Sequence, residues 1–220
     1  MPLNGSGGWL LATGDGEGTI RLWDVPKLGP TSRLAVCMQT IMGHTDWVDG
    51  LAFSPDGKTL ASGSFDGTVK LWDATDGRPQ QTLTAHTGRV LRVAWSPDGR
   101  TLASSSFDQT IWLWDVEQNR YRAVLRGHKA AVVGFAFTPD GRTLLSSGED
   151  GAMRVWDVAN GECLRVKQGH ATIIYDVGWS PDGTQLLSGG SDAMVTVWDV
   201  KDETQPQTLS GHSGVVLGVA

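Results

Sequence analysis

Short runs in which apolar and polar residues alternate follow one another along most of this chain. From Trp47 the run WVDGLAFS leads into Pro-Asp-Gly, KTLASGS into Phe-Asp-Gly, and TVKLWDA into Thr-Asp-Gly-Arg-Pro, before QQTLTA closes the set. Each run is short, rich in β-branched or apolar residues and bounded by turn formers, so each predicts a strand. No segment shows helical periodicity. The turn Ser54-Pro55-Asp56-Gly57 returns as Ser96-Pro97-Asp98-Gly99, Thr138-Pro139-Asp140-Gly141 and Ser180-Pro181-Asp182-Gly183. Pro presets φ, Asp bonds its own backbone and Gly accepts a positive φ.

The strand pattern is one unit copied. Trp-Asp occurs at Trp23, Trp72, Trp114, Trp156 and Trp198, with three intervals of 42 residues after a first of 49. A histidine stands 28 residues before four of these tryptophans, at His44, His86, His128 and His170, and His212 lies near the C-terminus. Ten positions before each Trp is a hydroxyl residue: Thr13, Ser62, Ser104, Ser146 and Ser188. Six positions before it is an acid: Glu17, Asp66, Asp108, Asp150 and Asp192.

Four strands in about 42 residues, a Gly-His opening and a Trp-Asp close resemble the WD-repeat (WD40) family. The Ser-Pro-Asp-Gly turns resemble its bacterial-type repeats. The resemblance covers nearly the whole chain. It implies an all-β fold, a WD-repeat β-propeller of five four-stranded antiparallel blades or the equivalent part of a larger propeller. The chain reads as a single domain, 1-220, with repeat units of about 1-42, 43-84, 85-126, 127-168 and 169-210 and a partial unit 211-220. Two departures stand out. His86 follows Ala85 rather than Gly, and the first repeat carries about seven extra residues, placed in the connection PKLGPTSRLAVC.

Ser, His and Asp are also the parts of a hydrolase triad, but a triad occurs once per site, with an oxyanion hole and a pocket. Five copies in fixed register suit a fold-building device. In WD-repeat proteins the acid bonds the His, the His bonds the hydroxyl, and the hydroxyl bonds the indole N–H. The resemblance implies this network for His44, Ser62, Asp66 and Trp72; for His86, Ser104, Asp108 and Trp114; and for His128, Ser146, Asp150 and Trp156. It implies the same for His170, Ser188, Asp192 and Trp198, and for His212 with Thr13, Glu17 and Trp23. Buried polar groups need partners, and a fully satisfied network fixes one arrangement. Glu17, one methylene longer, makes its copy the least regular.

Both ends fall inside a unit. The N-terminal part supplies WLLATG, TIRLWDV and an outer strand, and GVVLGVA at the other end reads as an inner strand. Two readings follow: this last strand completes the first unit and closes a ring of five, or the chain is part of a longer array. Closure would remove the edges that invite aggregation.

Composition narrows the function classes. Hydrophobic residues at 40% and charged ones at 19% suit a folded globular chain. A net charge of −6 without a dense basic run argues against a nucleic-acid partner. No apolar run approaches the roughly 20 residues of a membrane helix, and the N-terminus lacks the pattern of a signal peptide. Cys37 and Cys163 belong to no metal motif and read as buried thiols in a reducing compartment. The expectation is a cytoplasmic protein with no cofactor, no metal and no membrane or nucleic-acid partner.

Function is then sought in side chains that differ between repeats at equivalent exposed positions. In the family, peptides often bind the top face near the turns that carry the His and the acid. Three offsets look toward it: three and five residues after the His, and one before the acid. They select Trp47, Asp49, Phe65, Arg89, Leu91, Phe107, Glu149, Ile173 and Tyr175 as candidate partner-binding residues, rich in the aromatics and Arg of binding hot spots. Trp95 and Trp179 read as core, while Trp9 and Trp112 have no evident place. The resemblance implies a non-catalytic scaffold for a protein or peptide partner, such as the sensor part of a larger signalling protein. One alternative is self-association through unpaired edge strands. The other is a glycosidase with carboxylates in the central funnel, for which Asp49, Asp176 and Glu149 are the candidates, although no converging pair is evident.

Overall fold

In the computed structural model, residues 8–27, 34–168, 170, 172–199 and 206–219 are described. Their regular structure is entirely strand, each element five to seven residues long except the last. Most of the connection where the first repeat was read as longer, 28–33, lies outside the described residues.

The first sheet holds β1 (Trp9–Gly14), β2 (Thr19–Val25) and β3 (Val36–Met42) in that order. The second holds β4 (Val48–Phe53), β5 (Thr59–Ser64), β6 (Thr68–Asp73) and β7 (Pro79–Thr84). The third holds β8 (Val90–Trp95), β9 (Thr101–Ser106), β10 (Thr110–Asp115) and β11 (Arg120–Arg126). The fourth is β12 (Val132–Phe137), β13 (Thr143–Gly148), β14 (Ala152–Asp157) and β15 (Cys163–Gln168). The fifth is β16 (Ile174–Trp179), β17 (Gln185–Gly190), β18 (Val195–Asp199) and β19 (Gln207–Leu209). All are antiparallel meanders of neighbours in sequence, as the short turns between most of the strands require.

The chain falls into two compact units, Met1–Val93 and Ala94–Ala220, and the division passes through β8. In the first unit, Leu10, Ile20, Leu22 and Ile41 of the first sheet meet Val48, Leu60 and Trp72 of the second. In the second unit, Ile111, Leu113 and Leu125 meet Val132, Phe135, Leu144 and Trp156. There, too, Leu145 and Met153 meet Ile174, Val177, Leu186 and Trp198. The core within each unit is thus filled by layers between consecutive sheets, because the central strands β5, β9 and β13 are buried along almost their whole length and so bury residues on both faces.

Several expectations need correction. The first sheet has among the described residues the three strands expected of the N-terminal part, but residues 214–219, expected as an inner strand, are not a strand. This segment still packs Val216 and Val219 on Gly189, as β8 packs Val90 and Val93 on Gly63. Its N–H groups are bound singly, Val216 to the Gly190 carbonyl at 3.0 Å and Val219 to the Asp176 carboxylate at 3.1 Å. Without a ladder it is not a strand. Cys37 and Cys163 are exposed, not buried, because both sit on outermost strands, opposite Trp23 and Trp156. Trp95 and Trp179 are half-buried, and the Trp179 indole N–H donates to the Ala136 carbonyl at 3.2 Å. Trp112 stacks on Trp114 at 5.4 Å and meets exposed Tyr121 edge-on at 5.3 Å, while Trp9 is exposed at the start of β1.

The turn before each third strand also varies. Gly18, Gly67 and Gly151 take positive φ there, and at the equivalent places Gln109 (φ 71°) and Ala193 (φ 63°) do so without being glycine.

Candidate interaction site

The second, fourth and fifth sheets each combine two ingredients, a buried polar relay and three variable positions beside it. The relay is seen whole in the second sheet. The Trp72 indole N–H donates to Ser62 Oγ at 2.8 Å, Ser62 Oγ lies 2.7 Å from His44 Nε2, and His44 Nδ1 lies 2.8 Å from the Asp66 carboxylate. Ser62 is fully buried. The fourth sheet repeats it with Trp156, Ser146, His128 and Asp150 at 2.8, 2.8 and 2.9 Å, and Arg154 adds a 3.0 Å ion pair to Asp150. The fifth does so with Trp198, Ser188, His170 and Asp192 at 3.1, 2.9 and 2.8 Å. In the third sheet the Trp114 indole donates to Ser104 at 2.9 Å, and Asp108 receives the Thr110 hydroxyl; His86 belongs to the other unit.

The first sheet differs. Trp23 donates to Thr13 at 2.9 Å, but Glu17 and His212 are exposed. The acid that organises this turn is Asp15, which accepts the N–H groups of Glu17 and Thr19 and pairs with Arg21 at 2.8 Å. Asp15 precedes the turn and reaches its amides with one methylene, where Glu17 sits at its exposed tip.

Burial holds the His44 and His128 imidazoles below the usual histidine range, more strongly than their carboxylate partners raise them. Burial also opposes ionisation of Asp66, but the Thr68 hydroxyl and amide, His44 and the Thr45 amide outweigh it and hold the carboxyl down at about 2. The signs follow. An unfolded chain takes up protons on these histidines from about pH 6.5 downward while the folded chain resists, so stability falls as pH drops below that value. The Asp66 contribution is complete above 3.8 and fades toward 2. Urea midpoints measured at pH 7.5 and 5.5 should therefore be lower at 5.5; equal midpoints would contradict neutral buried histidines.

In the second, fourth and fifth sheets the three variable positions are brought together by two backbone features. The first is a β-bulge. Val48 pairs with Ser64 and Gly50 with Gly63, leaving Asp49 as the extra residue. The same irregularity leaves Val133 extra in β12 and Tyr175 extra in β16. The second is a bond from the residue before the acid to the carbonyl three residues after the His. It joins Phe65 to Trp47 at 2.8 Å, Glu149 to Ala131 at 2.9 Å and Ser191 to Ile173 at 2.9 Å.

In the first unit this geometry assembles a stack. The Trp47 and Phe65 rings are parallel, 9° apart with centroids 5.8 Å from each other. The Arg89 guanidinium lies over Phe65 at 4.9 Å. On the other side the Trp47 indole lies over Gly16, where an added Cβ would come within 3.1 Å of it. Trp47 nonetheless remains 57% exposed. The same unit holds a cleft of about 270 Å³ lined by Asp49, Gly50, Leu51, Leu91, Arg92 and Val93. Leu91 is buried in its wall. Gly50 lets β4 approach the β8 backbone, since a Cβ there would meet the Val93 nitrogen at 2.9 Å. Partial burial raises the Asp49 pKa, and the charge of Arg92 only partly offsets this.

The remaining candidates belong to the second unit. Phe107 and Glu149 are exposed in turns, and Ile173 and Tyr175 are half-buried. Arg92 was missed by sequence reasoning. Its position in β8, one residue past the Leu91 offset, gave no signal, because only the close approach of β4 to β8 at Gly50 puts it on the cleft.

Four consecutive segments, 35–73, 77–115, 119–157 and 161–199, match the family described as WD domain, G-beta repeat. Each begins one or two residues before the outer strand of one sheet and ends at the Trp-Asp of the next. The chain is 46% identical over 52 residues to Nuclear distribution protein PAC1 of Mycosarcoma maydis, covering 24% of this chain and 10% of that protein. It is 46% identical over 48 residues to Ribosome assembly protein 4 of Chaetomium thermophilum, covering 22% and 8%. It is 39% identical over 57 residues to Nuclear distribution protein nudF of Aspergillus flavus, covering 26% and 11%. These matches span about a tenth of each relative's length.

Proposed function

The chain belongs to the WD domain, G-beta repeat family, and from that membership we propose that it is a non-catalytic interaction module whose protein or peptide partner docks on the Trp47–Phe65–Arg89 rim. WD-repeat proteins are generally non-catalytic scaffolds. The observation that carries the reading is the stack itself. Two parallel rings and an arginine over one of them, drawn from two repeats, are held partly in water by a backbone bond, a cation–π contact and a glycine floor. Aromatics and Arg contribute most per residue at interfaces, the rings because little entropy is lost in fixing them and Arg because its planar fork is already organised. The relatives are named for nuclear distribution and ribosome assembly, not for a reaction. The relay residues would be structural in this reading, and a role as the sensor part of a larger cytoplasmic signalling protein fits it. Among the described residues no helix is long and apolar enough to cross a membrane.

The glycosidase alternative has less support, since the Asp176 carboxylate accepts the Val219 N–H and Glu149 is exposed in a turn. Self-association has one observation in its favour: no fourth strand lies on the first sheet among the described residues. Light scattering would then give a mass rising with concentration. For the rim, a partner captured by the wild-type chain should bind Phe65→Ala and Arg89→Ala about 30-fold more weakly, the size of a hot-spot loss. The thermal midpoints of both variants should stay close to wild type. Capture that survives both substitutions would refute the rim.

A further inference from the structure

The segment 214–219 lies on the fifth sheet in the way that an inner strand lies on the sheet before it. The Val216 N–H bonds the Gly190 carbonyl at 3.0 Å, as the Val48 N–H of β4 bonds the Asp15 carbonyl at 3.1 Å. The Val216 side chain closes on Gly189, as Val48 closes on Gly14 and Val90 of β8 on Gly63. These are equivalent places, since Gly190 and Asp15 stand eight positions before their Trp and the three glycines nine. The segment is thus set as an inner strand, yet it has no ladder, whereas β4 pairs with β5. β1 is the converse. It pairs with β2 alone and forms the edge of its sheet.

The faces beside these two edges are open as well, among the described residues. Trp9 and Leu11 point away from the layer that Leu10 and Ala12 share with the second sheet, and they are 54% and 50% exposed. At the place of Leu11 the other repeats hold Leu60, Leu102, Leu144 and Leu186, each 1% exposed or less. On the fifth sheet, Val195 and Val197 are half-buried and Leu209 is 47% exposed, while Val69, Leu71 and Leu83 at the same places in the second sheet are buried.

We infer that two copies of this chain dock head to tail, the first sheet of one on the fifth sheet of the other, with β1 pairing along the second copy's segment 214–219. The positions that would meet already meet between consecutive sheets, where Ile20, Leu22 and Ile41 pack on Leu60 and Trp72. Val195, Val197 and Leu209 stand at the first three places, and Leu11 and Trp23 at the last two. One chain carries both halves of this interface and leaves each open, which is the arrangement of a heterologous contact. Docking would cover an exposed tryptophan and leucine and give a ladder to both β1 and the segment, removing a free edge.

The test is the mass of the full chain by sedimentation over a wide range of concentration. Wild type should associate. Leu11→Arg and Leu209→Arg each place a charge in one half of the interface and should raise the concentration of half-assembly about tenfold or more. Both side chains are half in water, so thermal midpoints should stay near wild type. An equimolar mixture of the two variants keeps one intact pairing and should form a two-chain species that neither forms alone. Leu164→Arg, on the outermost strand β15, should assemble like wild type. A single-chain mass for wild type at every concentration, a mixture without the two-chain species, or equal weakening by Leu164→Arg would each overturn the inference. Hydrogen exchange of the wild type decides even if a variant fails to fold. Amides of residues 9–14 and 214–219 should gain protection together as concentration rises, and protection that ignores concentration would assign the pairing to one chain and overturn docking between copies. The rim is tested separately, since Phe65→Ala should leave the mass unchanged.

Discussion

Ser62→Ala lowers the stability of the protein by about 2–4 kcal/mol, a fall of roughly 10 °C in Tm for a chain of this size. The hydroxyl is fully buried and serves two partners at once, the Trp72 indole at 2.8 Å and His44 at 2.7 Å. Alanine removes only one small group but leaves a buried donor and a buried acceptor unmatched, each costing about 1–3 kcal/mol in desolvation that is not recovered. The cavity is small and adds little. Adding Trp72→Phe deletes one of the two orphans, so the double variant should lose less than the sum of the singles. Urea denaturation of the four proteins closes the cycle. Strict additivity would mean that the relay is a set of independent contacts and not a coupled network.

Gly18→Ala is the second large loss, and it turns on one position repeated in every unit. Gly18 has φ +79°, and a Cβ there would press into the His44 carbonyl, lying 2.8 Å from its carbon. The left-handed backbone alone costs an alanine about 1–2 kcal/mol, and the overlap forces the chain around His44 to move. A total above about 2 kcal/mol is expected, read as a drop in thermal midpoint. The converse substitution is a gain. Ala193 already bears φ 63°, so Ala193→Gly should stabilise by about 1 kcal/mol, the unfolded glycine's extra freedom taking back part of the relief. An Ala193→Gly protein that melts lower than wild type would contradict this account.

Much of the architecture was readable because it is written repeatedly. A Pro-Asp-Gly turn or a Trp-Asp pair means little once, but a fixed spacing across units makes register a property of the chain. The strand runs and the partners of Trp72, Trp156 and Trp198 lie at those spacings. What periodicity could not carry is whatever breaks it. Asp15 takes over the first turn although Glu17 occupies the repeating position, since reach, not register, decides which carboxylate meets the amides. Residues 214–219 have the composition of a strand, but a strand exists only with a neighbour to pair with. Cys37 and Cys163 look like core in a one-dimensional reading, yet an outermost strand has water on its free side.

The rim was only half legible, for a related reason. Trp47, Phe65 and Arg89 could be singled out as unusual letters at equivalent offsets. That their side chains form one stack depends on how consecutive sheets splay, and Arg92 enters the cleft only through the close approach that Gly50 permits.

The bulge at Asp49, Val133 and Tyr175 has a consequence for redesign. A residue outside the ladder register carries no strand pairing and no layer of the core, so evolution or an engineer can rewrite it at little cost to folding. Each of these three repeats thereby offers one editable character on an otherwise constant page, and that character could be reset to recognise a different peptide while the framework beneath is left unaltered.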